Sequence, residues 1–210
     1  MKVAVLSESA ADEAAIGILV NALIGKETYS PTLPRLRSRG WPSVLNVLPT
    51  VLKHLHYRTD ADALVVVADA DESGLHTAAH TAPSVMASTC RRCALRDTID
   101  RVSAELKPVS GRLPLRTAVG MAVPAIEAWY LAGCDPRVRE TSFDPANPTH
   151  PPPYTKLQLK NIVYGTDRPS LPLETQRATE EARRLAVDLA ALEDRFPGGF
   201  GSLAHDIRDW

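Results

Sequence analysis

Residues 65–74 read VVVADADESG, a run of valines that ends on two aspartates, a glutamate, a serine and a glycine. The apolar part is short, β-branched and bounded by turn chemistry, which predicts a buried strand ending at Asp69. Two carboxylates one residue apart, where such a strand leaves the core, concentrate negative charge that a counter-charge must offset. A divalent cation is the first candidate to hold Asp69 and Asp71 together.

Working outward, KVAVLSES (2–9) opens as a second buried strand and closes on Ser7-Glu8-Ser9. Ser9 suits a helix N-cap, with Asp12 three residues on in a pattern close to a capping box. Ile16, Leu19, Val20, Leu23 and Ile24 then give residues 10–24 an apolar helical face. After Gly25, a short strand interrupted by prolines is expected, with Arg35, Arg37 and Arg39 alternating along it. WPSVLNVLPTVLKHLHYR (41–58) reads as a helix, with Pro42 in its first turn and Pro49 as a kink. A helix from about 82 to 106 and a strand over 113–123 follow. Pro124 is expected as a first helical residue and Gly133 as the stop.

From 135 to 153 the chain is proline-rich and aperiodic, so a loop or arm is expected. It reads as a surface connection, with lining the site or embracing a partner subunit as alternatives. Ala178, Ala182, Leu185, Leu189 and Leu192 mark a C-terminal amphipathic helix, and a glycine turn with a short helix ends the sequence. The order of elements predicts an α/β fold: a largely parallel central sheet with helices on both faces, plus a helical C-terminal extension. The core is expected over 1–133, with the arm and helical extension packed on it over 134–210.

Bulk properties narrow the function classes. The chain has 210 residues, 44% of them apolar and 23% charged, which suits a globular domain that buries a core without disulfides. A formal net charge of −1 gives no global pull toward nucleic acid, so polyanion binding must come from local bases or a bound metal. A membrane span is not expected, because no run of about 18 apolar residues occurs. Three cysteines point to a reducing compartment, and the cytoplasm is the expected location.

In open parallel sheets, ligands bind beyond the carboxyl ends of the strands. Glu8, Asp69, Asp71 and Glu127 all follow predicted strands there, and Mg²⁺ or Mn²⁺ suits such an open set of oxygen donors. Each has a plainer reading: Glu8 as a partner of the following helix dipole, the aspartates as turn formers, Glu127 as an exposed helix residue. Lys156 and Lys160, four apart in YTKLQLKN, share one face and are candidates for phosphate contact or for a solvated charged face. An EF-hand is rejected for DADESG, because His80 stands where the bidentate glutamate belongs and a strand precedes the loop. A haloacid-dehalogenase-like phosphatase would carry its Asp-x-Asp on the first strand. A nucleotide-sugar transferase leaves Glu8 unexplained and stays a minor alternative.

Glu8 at the end of a first strand, with Asp69-Ala70-Asp71 and Gly74 at the end of a later one, resembles the Toprim domain over roughly residues 1–133. The stretch AIEAWYLAG is also similar to small stand-alone bacterial Toprim-like proteins, some linked to phage defence. The usual Toprim glutamate precedes a glycine-containing turn, whereas Ser9-Ala10-Ala11 follows Glu8. The resemblance implies phosphodiester chemistry on DNA or RNA, as in primases, topoisomerases and nucleases. Asp69 and Asp71 would ligate Mg²⁺ or Mn²⁺, Glu8 would be a further ligand or the general acid/base, and Glu127 would serve a second metal. Nucleic acid is then the expected partner, with a homodimer or partner protein as a further option. The alternative from another class is a non-catalytic binding or assembly subunit that keeps the metal site.

HTAAH and CRRC offer four soft ligands, His76, His80, Cys90 and Cys93. With only one Cys-x-x-Cys and a spacing that fits no familiar zinc module, ordinary helix cysteines and surface histidines are expected, and zinc below one per chain. Arg91, Arg92 and Arg96 read as a solvated helix face.

Overall fold

The computed structural model describes residues 1–31, 33, 40–73, 75–77, 80, 89–145 and 151–210. Its centre is β2 (Ala63–Asp69), the middle strand of a three-stranded parallel sheet ordered β1 (Val3–Leu6), β2, β3 (Arg116–Ala122). Ala63 to Ala68 are each at most 1% exposed. Successive strand residues point to opposite faces, so both faces of the sheet are covered, as a valine-rich parallel strand requires. Val66 pairs with Leu6 on one side and Val119 on the other, and Asp69 pairs with Ala122. That register brings the segments starting at Ser7, Ala70 and Val123 to one edge.

Among the described residues, the strand expected after Gly25 is represented by one parallel bridge between Tyr29 and Lys2. Val3 N–H donates to Tyr29 O (2.9 Å), whereas Lys2 O accepts from Asp62 N–H (2.8 Å) on the β2 side. Tyr29 therefore lies on the outer side of β1. The spatial order Tyr29, β1, β2, β3 reverses direction between β1 and β2, the switch point where such sheets bind ligands. Arg35, Arg37 and Arg39 lie outside the described residues, as do Gly74 and the first part of the helix expected from 82.

Two helix groups cover the sheet. Helix α1 (Ala10–Ile24) packs on α6 (Leu171–Leu185) and on α8 (Ser202–Arg208), and α8 lies on β3. Helix α2 (Gly40–Arg58) packs on α3 (Arg91–Glu105), and they reach β2 and β3 respectively. Helix α2 runs through Pro49 without ending there. Gly120 admits α8, because a Cβ there would stand 3.2 Å from Leu203 and 3.3 Å from Val67. Asp206 of α8 accepts the N–H of Val119 (3.1 Å) and pairs with Arg96 of α3 (2.5 Å), so the outer edge of β3 is capped by a carboxylate.

The boundary expected at 133 does not divide the core. Ala178, Ala182, Leu185, Phe200 and Leu203 are buried in the same cluster as the strands. Trp129 meets Phe200 edge to face at 5.4 Å. Pro124 is not helical: Ala125 is extended, and the short α4 spans Ile126–Tyr130. The expected C-terminal helix is two, α6 and α7 (Leu189–Arg195), because the Asp188 carboxylate accepts Ala191 N–H (3.1 Å) and starts the chain afresh. Among the described residues no helix is long and apolar enough to cross a membrane.

Candidate functional site at the carboxyl edge of the sheet

Glu8 follows β1 and reaches across to β2. Its Oε1 accepts the N–H of Asp69 (3.0 Å), which places it directly on the end of the neighbouring strand. Asp69 Oδ1 in turn accepts Ile126 N–H (3.0 Å), tying β2 to the start of α4. Asp71 stands in the left-handed region at φ 47°, and its N–H donates to Pro124 O (2.8 Å). Few residues other than glycine adopt that backbone, and aspartate is among those that tolerate it.

What Asp69 and Asp71 hold is a lysine. Lys156 Nζ lies 2.7 Å from Asp69 Oδ2 and 2.6 Å from Asp71 Oδ1. It is the first residue of α5 (Lys156–Tyr164), whose start is a complete capping box. Thr155 Oγ1 accepts Gln158 N–H (3.3 Å) and Gln158 Oε1 accepts Thr155 N–H (2.8 Å). A cation in the first turn opposes the helix dipole at a cost of about 0.3–1 kcal/mol, which the two aspartates offset. Arg91, at the start of α3, donates to Asp69 O (2.8 Å) and Asp71 Oδ2 (2.6 Å), and its guanidinium lies 5.0 Å over the Trp41 ring. The solvated faces expected for Lys156 and Arg91 are thus replaced by ion pairs at the strand ends.

Glu127 of α4 is buried rather than exposed; Lys160 Nζ lies 3.8 Å from its Oε1, and its Oε2 has no partner among the described residues. Asp12, read from sequence only as a cap partner, is a fifth acid, buried near Asp69 and Glu127. Ser9 does cap α1, accepting Asp12 N–H (3.1 Å), but the Asp12 carboxyl belongs to the interior. Glu174 of α6 adds a further carboxyl facing Asp69 and Lys160. Among the described residues, six carboxyls (Glu8, Asp12, Asp69, Asp71, Glu127, Glu174) therefore meet three bases (Arg91, Lys156, Lys160).

That imbalance shifts the acids. Burial, then the charge of Asp69, pushes Glu8 up to about 7 and Glu127 up to about 7. Burial also raises Asp12 and Asp69 above the usual carboxylate range. For Asp71, burial acts upward, but the bonds from Lys156 and Arg91 outweigh it and hold the carboxyl low. Near neutral pH the edge is a set of closely spaced acids that share protons, with Asp71 held ionised by Lys156 and Arg91.

An open cleft of about 1130 Å³ adjoins this edge, lined by Asp71, Arg91 and Lys156 on one side and by Phe143, Pro152 and Tyr154 on another. The proline-rich segment expected as a surface connection therefore forms a wall of the cleft. Its short helical turn, Glu140–Phe143, is anchored where buried Glu140 accepts Gly198 N–H (2.6 Å).

On the other side of Arg91, the structure gathers His76, His80, Cys90 and Cys93, whose candidate ligand atoms all lie within 4.8 Å of one another. His80 is buried, not on the surface as expected, and Cys90 is buried at the start of α3. This His/Cys group can hold a metal, and its donors suit zinc better than magnesium. The signal in the sequence was the pair of short spacings; their convergence depends on where His76 and His80 stand relative to α3. Comparison with protein-family models, with curated proteins and with solved structures finds no match to this chain.

Proposed function

We propose that the carboxyl edge is a Mg²⁺- or Mn²⁺-dependent phosphoryl-transfer site acting on DNA or RNA, in the manner its Toprim resemblance implies. The observation that carries this reading is the excess of carboxyls over bases at the switch point of a parallel sheet, beside an open cleft. Glu8, Asp69 and Asp71 offer hard oxygen donors from two strand ends, the donor type a divalent cation of this kind takes. Such a cation supplies charge stabilisation at a phosphate oxygen or an activated water. Glu8, pushed up to about 7, is poised to take or give a proton near neutral pH. Lys156 and Arg91 border the cleft, and once released from Asp71 they present two cations to a phosphodiester.

One observation favours a second reading, a non-catalytic nucleic-acid-binding or assembly subunit: the ammonium of Lys156 already bridges Asp69 and Asp71. Metal binding by both aspartates requires Lys156 to move. Cleavage of plasmid, single-stranded DNA and RNA with Mg²⁺ or Mn²⁺ separates the two. The proposal expects metal-dependent cleavage by the parent that is lost in an Asp69→Asn, Asp71→Asn variant. Binding of these nucleic acids without cleavage would favour the second reading, and cleavage unchanged in the variant would place the activity elsewhere.

A further inference from the structure

We infer that His76, His80, Cys90 and Cys93 form a structural zinc site that pins the loop after β2 to the start of α3. The inference rests on geometry and donor chemistry and is independent of the function proposed above.

His76 Nδ1 stands 3.6 Å from Cys90 Sγ and 3.5 Å from Cys93 Sγ. A tetrahedral zinc with bonds of about 2.3 Å to sulfur and about 2.0 Å to nitrogen holds its ligands about 3.4–3.8 Å apart. Two edges of the tetrahedron are thus already present. All four candidate atoms lie within 4.8 Å, so the remaining edges need to contract by no more than about 1.4 Å to reach those spacings.

A second observation points the same way. His80 is buried, and its Nδ1 has no hydrogen-bond partner among the described residues. An unpartnered ring nitrogen in the interior is unfavourable unless something binds it. A metal among these four side chains satisfies it.

The sequence spacing agrees when read half by half. His76-x-x-x-His80 and Cys90-x-x-Cys93 each match a common zinc half-site, in the reverse of the usual order. Four protein ligands leave no open position for water, so the site is structural rather than catalytic. Binding converts two thiols to thiolates and releases their protons to solvent, leaving a neutral Cys₂His₂ centre.

The position explains the use. Arg91 lies between the two cysteines and donates to Asp69 O and Asp71 Oδ2. Zinc on Cys90 and Cys93 fixes the backbone from which that guanidinium reaches the carboxylate edge.

The test is the metal content of the full chain purified under reducing conditions without chelator. About one zinc per chain is expected. Zinc should fall to background in a Cys90→Ser, Cys93→Ser variant and stay unchanged in the Asp69→Asn, Asp71→Asn variant, which separates this site from the carboxylates. Because the cysteine variant may fail to fold, the parent is also stripped of zinc and titrated with Co²⁺. Tetrahedral cobalt absorption with thiolate-to-cobalt charge transfer is expected, as is a melting temperature several degrees higher with metal than without. Cobalt uptake with no thiolate charge transfer, zinc retained in the cysteine variant, or a Cys90–Cys93 disulfide in the fresh protein would each overturn the inference.

Discussion

The carboxylate edge and the His/Cys cluster lie on either side of Arg91, yet they meet the problem of a buried cation in opposite ways. At the edge, the donors are anionic oxygens whose counter-charge is partly supplied by the protein, through Lys156 and Arg91. At the cluster, the donors are soft and uncharged until metal binds, and one buried ring nitrogen has no described partner. On the function proposed above, the first arrangement has to be adjustable, with a lysine that leaves and a proton that moves when a metal and substrate enter. The proposed zinc site, with four protein ligands, has nothing to exchange.

The largest effect that sharpens the contrast is at Glu8. Glu8→Gln is expected to lower metal-dependent cleavage by about 10²–10⁴-fold with the fold intact by circular dichroism, because Gln can neither carry the proton nor ligate as an anion. If Glu8 only complements the α1 dipole, the variant loses about 0.3–1 kcal/mol of stability and keeps its activity. Lys156 comes next. Lys156→Met should cost the metal-free protein about 1–3 kcal/mol in chemical denaturation, since two charge-assisted bonds are lost. It should also tighten Mn²⁺ binding by about tenfold, equivalent to about 1.4 kcal/mol of ion pairing no longer displaced. Weaker Mn²⁺ binding in this variant would break the view that Lys156 stands in for a cation.

The pH dependence tests the same edge without a change of charge partner. Glu8 and Glu127 are both raised to about 7 from a usual value of 4.5. A carboxyl whose folded pKa is raised binds protons more readily when folded, so its favourable contribution is full below 4.5 and lost as pH rises through 7. The metal-free protein should therefore gain melting temperature from these groups between pH 7 and 5, and a Glu8→Gln, Glu127→Gln variant should show a flatter profile. The smallest expected effect is at Lys160, 3.8 Å from Glu127. Lys160→Met should change stability by less than about 1 kcal/mol, and a larger loss in a denaturant melt would mean that Glu127 depends on it.

Much of this was legible in the sequence for physical reasons. A valine run too short for a helix has one good use, and β2 is that buried strand. Glu8, Asp69 and Asp71 were found because parallel strands all deliver their next residues to one edge. Lys156 and Lys160 were found by helical spacing, but their partners were not, since an ion pair across 85 residues leaves no local trace. Asp12 was missed because an acid in a first turn is explained by the cap alone. The start of helix α4 was set two residues early, because Pro124 satisfies the rule for a first helical residue while Ala125 after it is extended. The His/Cys convergence was underread because two half-sites nine residues apart converge only through the packing of the loop on α3.

The central claim is that the carboxyl edge exchanges Lys156 for a divalent cation. Calorimetric titration of Mg²⁺ and Mn²⁺ into the purified parent and into the Asp69→Asn, Asp71→Asn variant tests it most directly. The account predicts binding by the parent with proton release, read as a buffer-dependent heat, and loss of that binding in the variant while zinc content stays the same. No binding to the parent at millimolar metal, or unchanged binding in the variant, would contradict it.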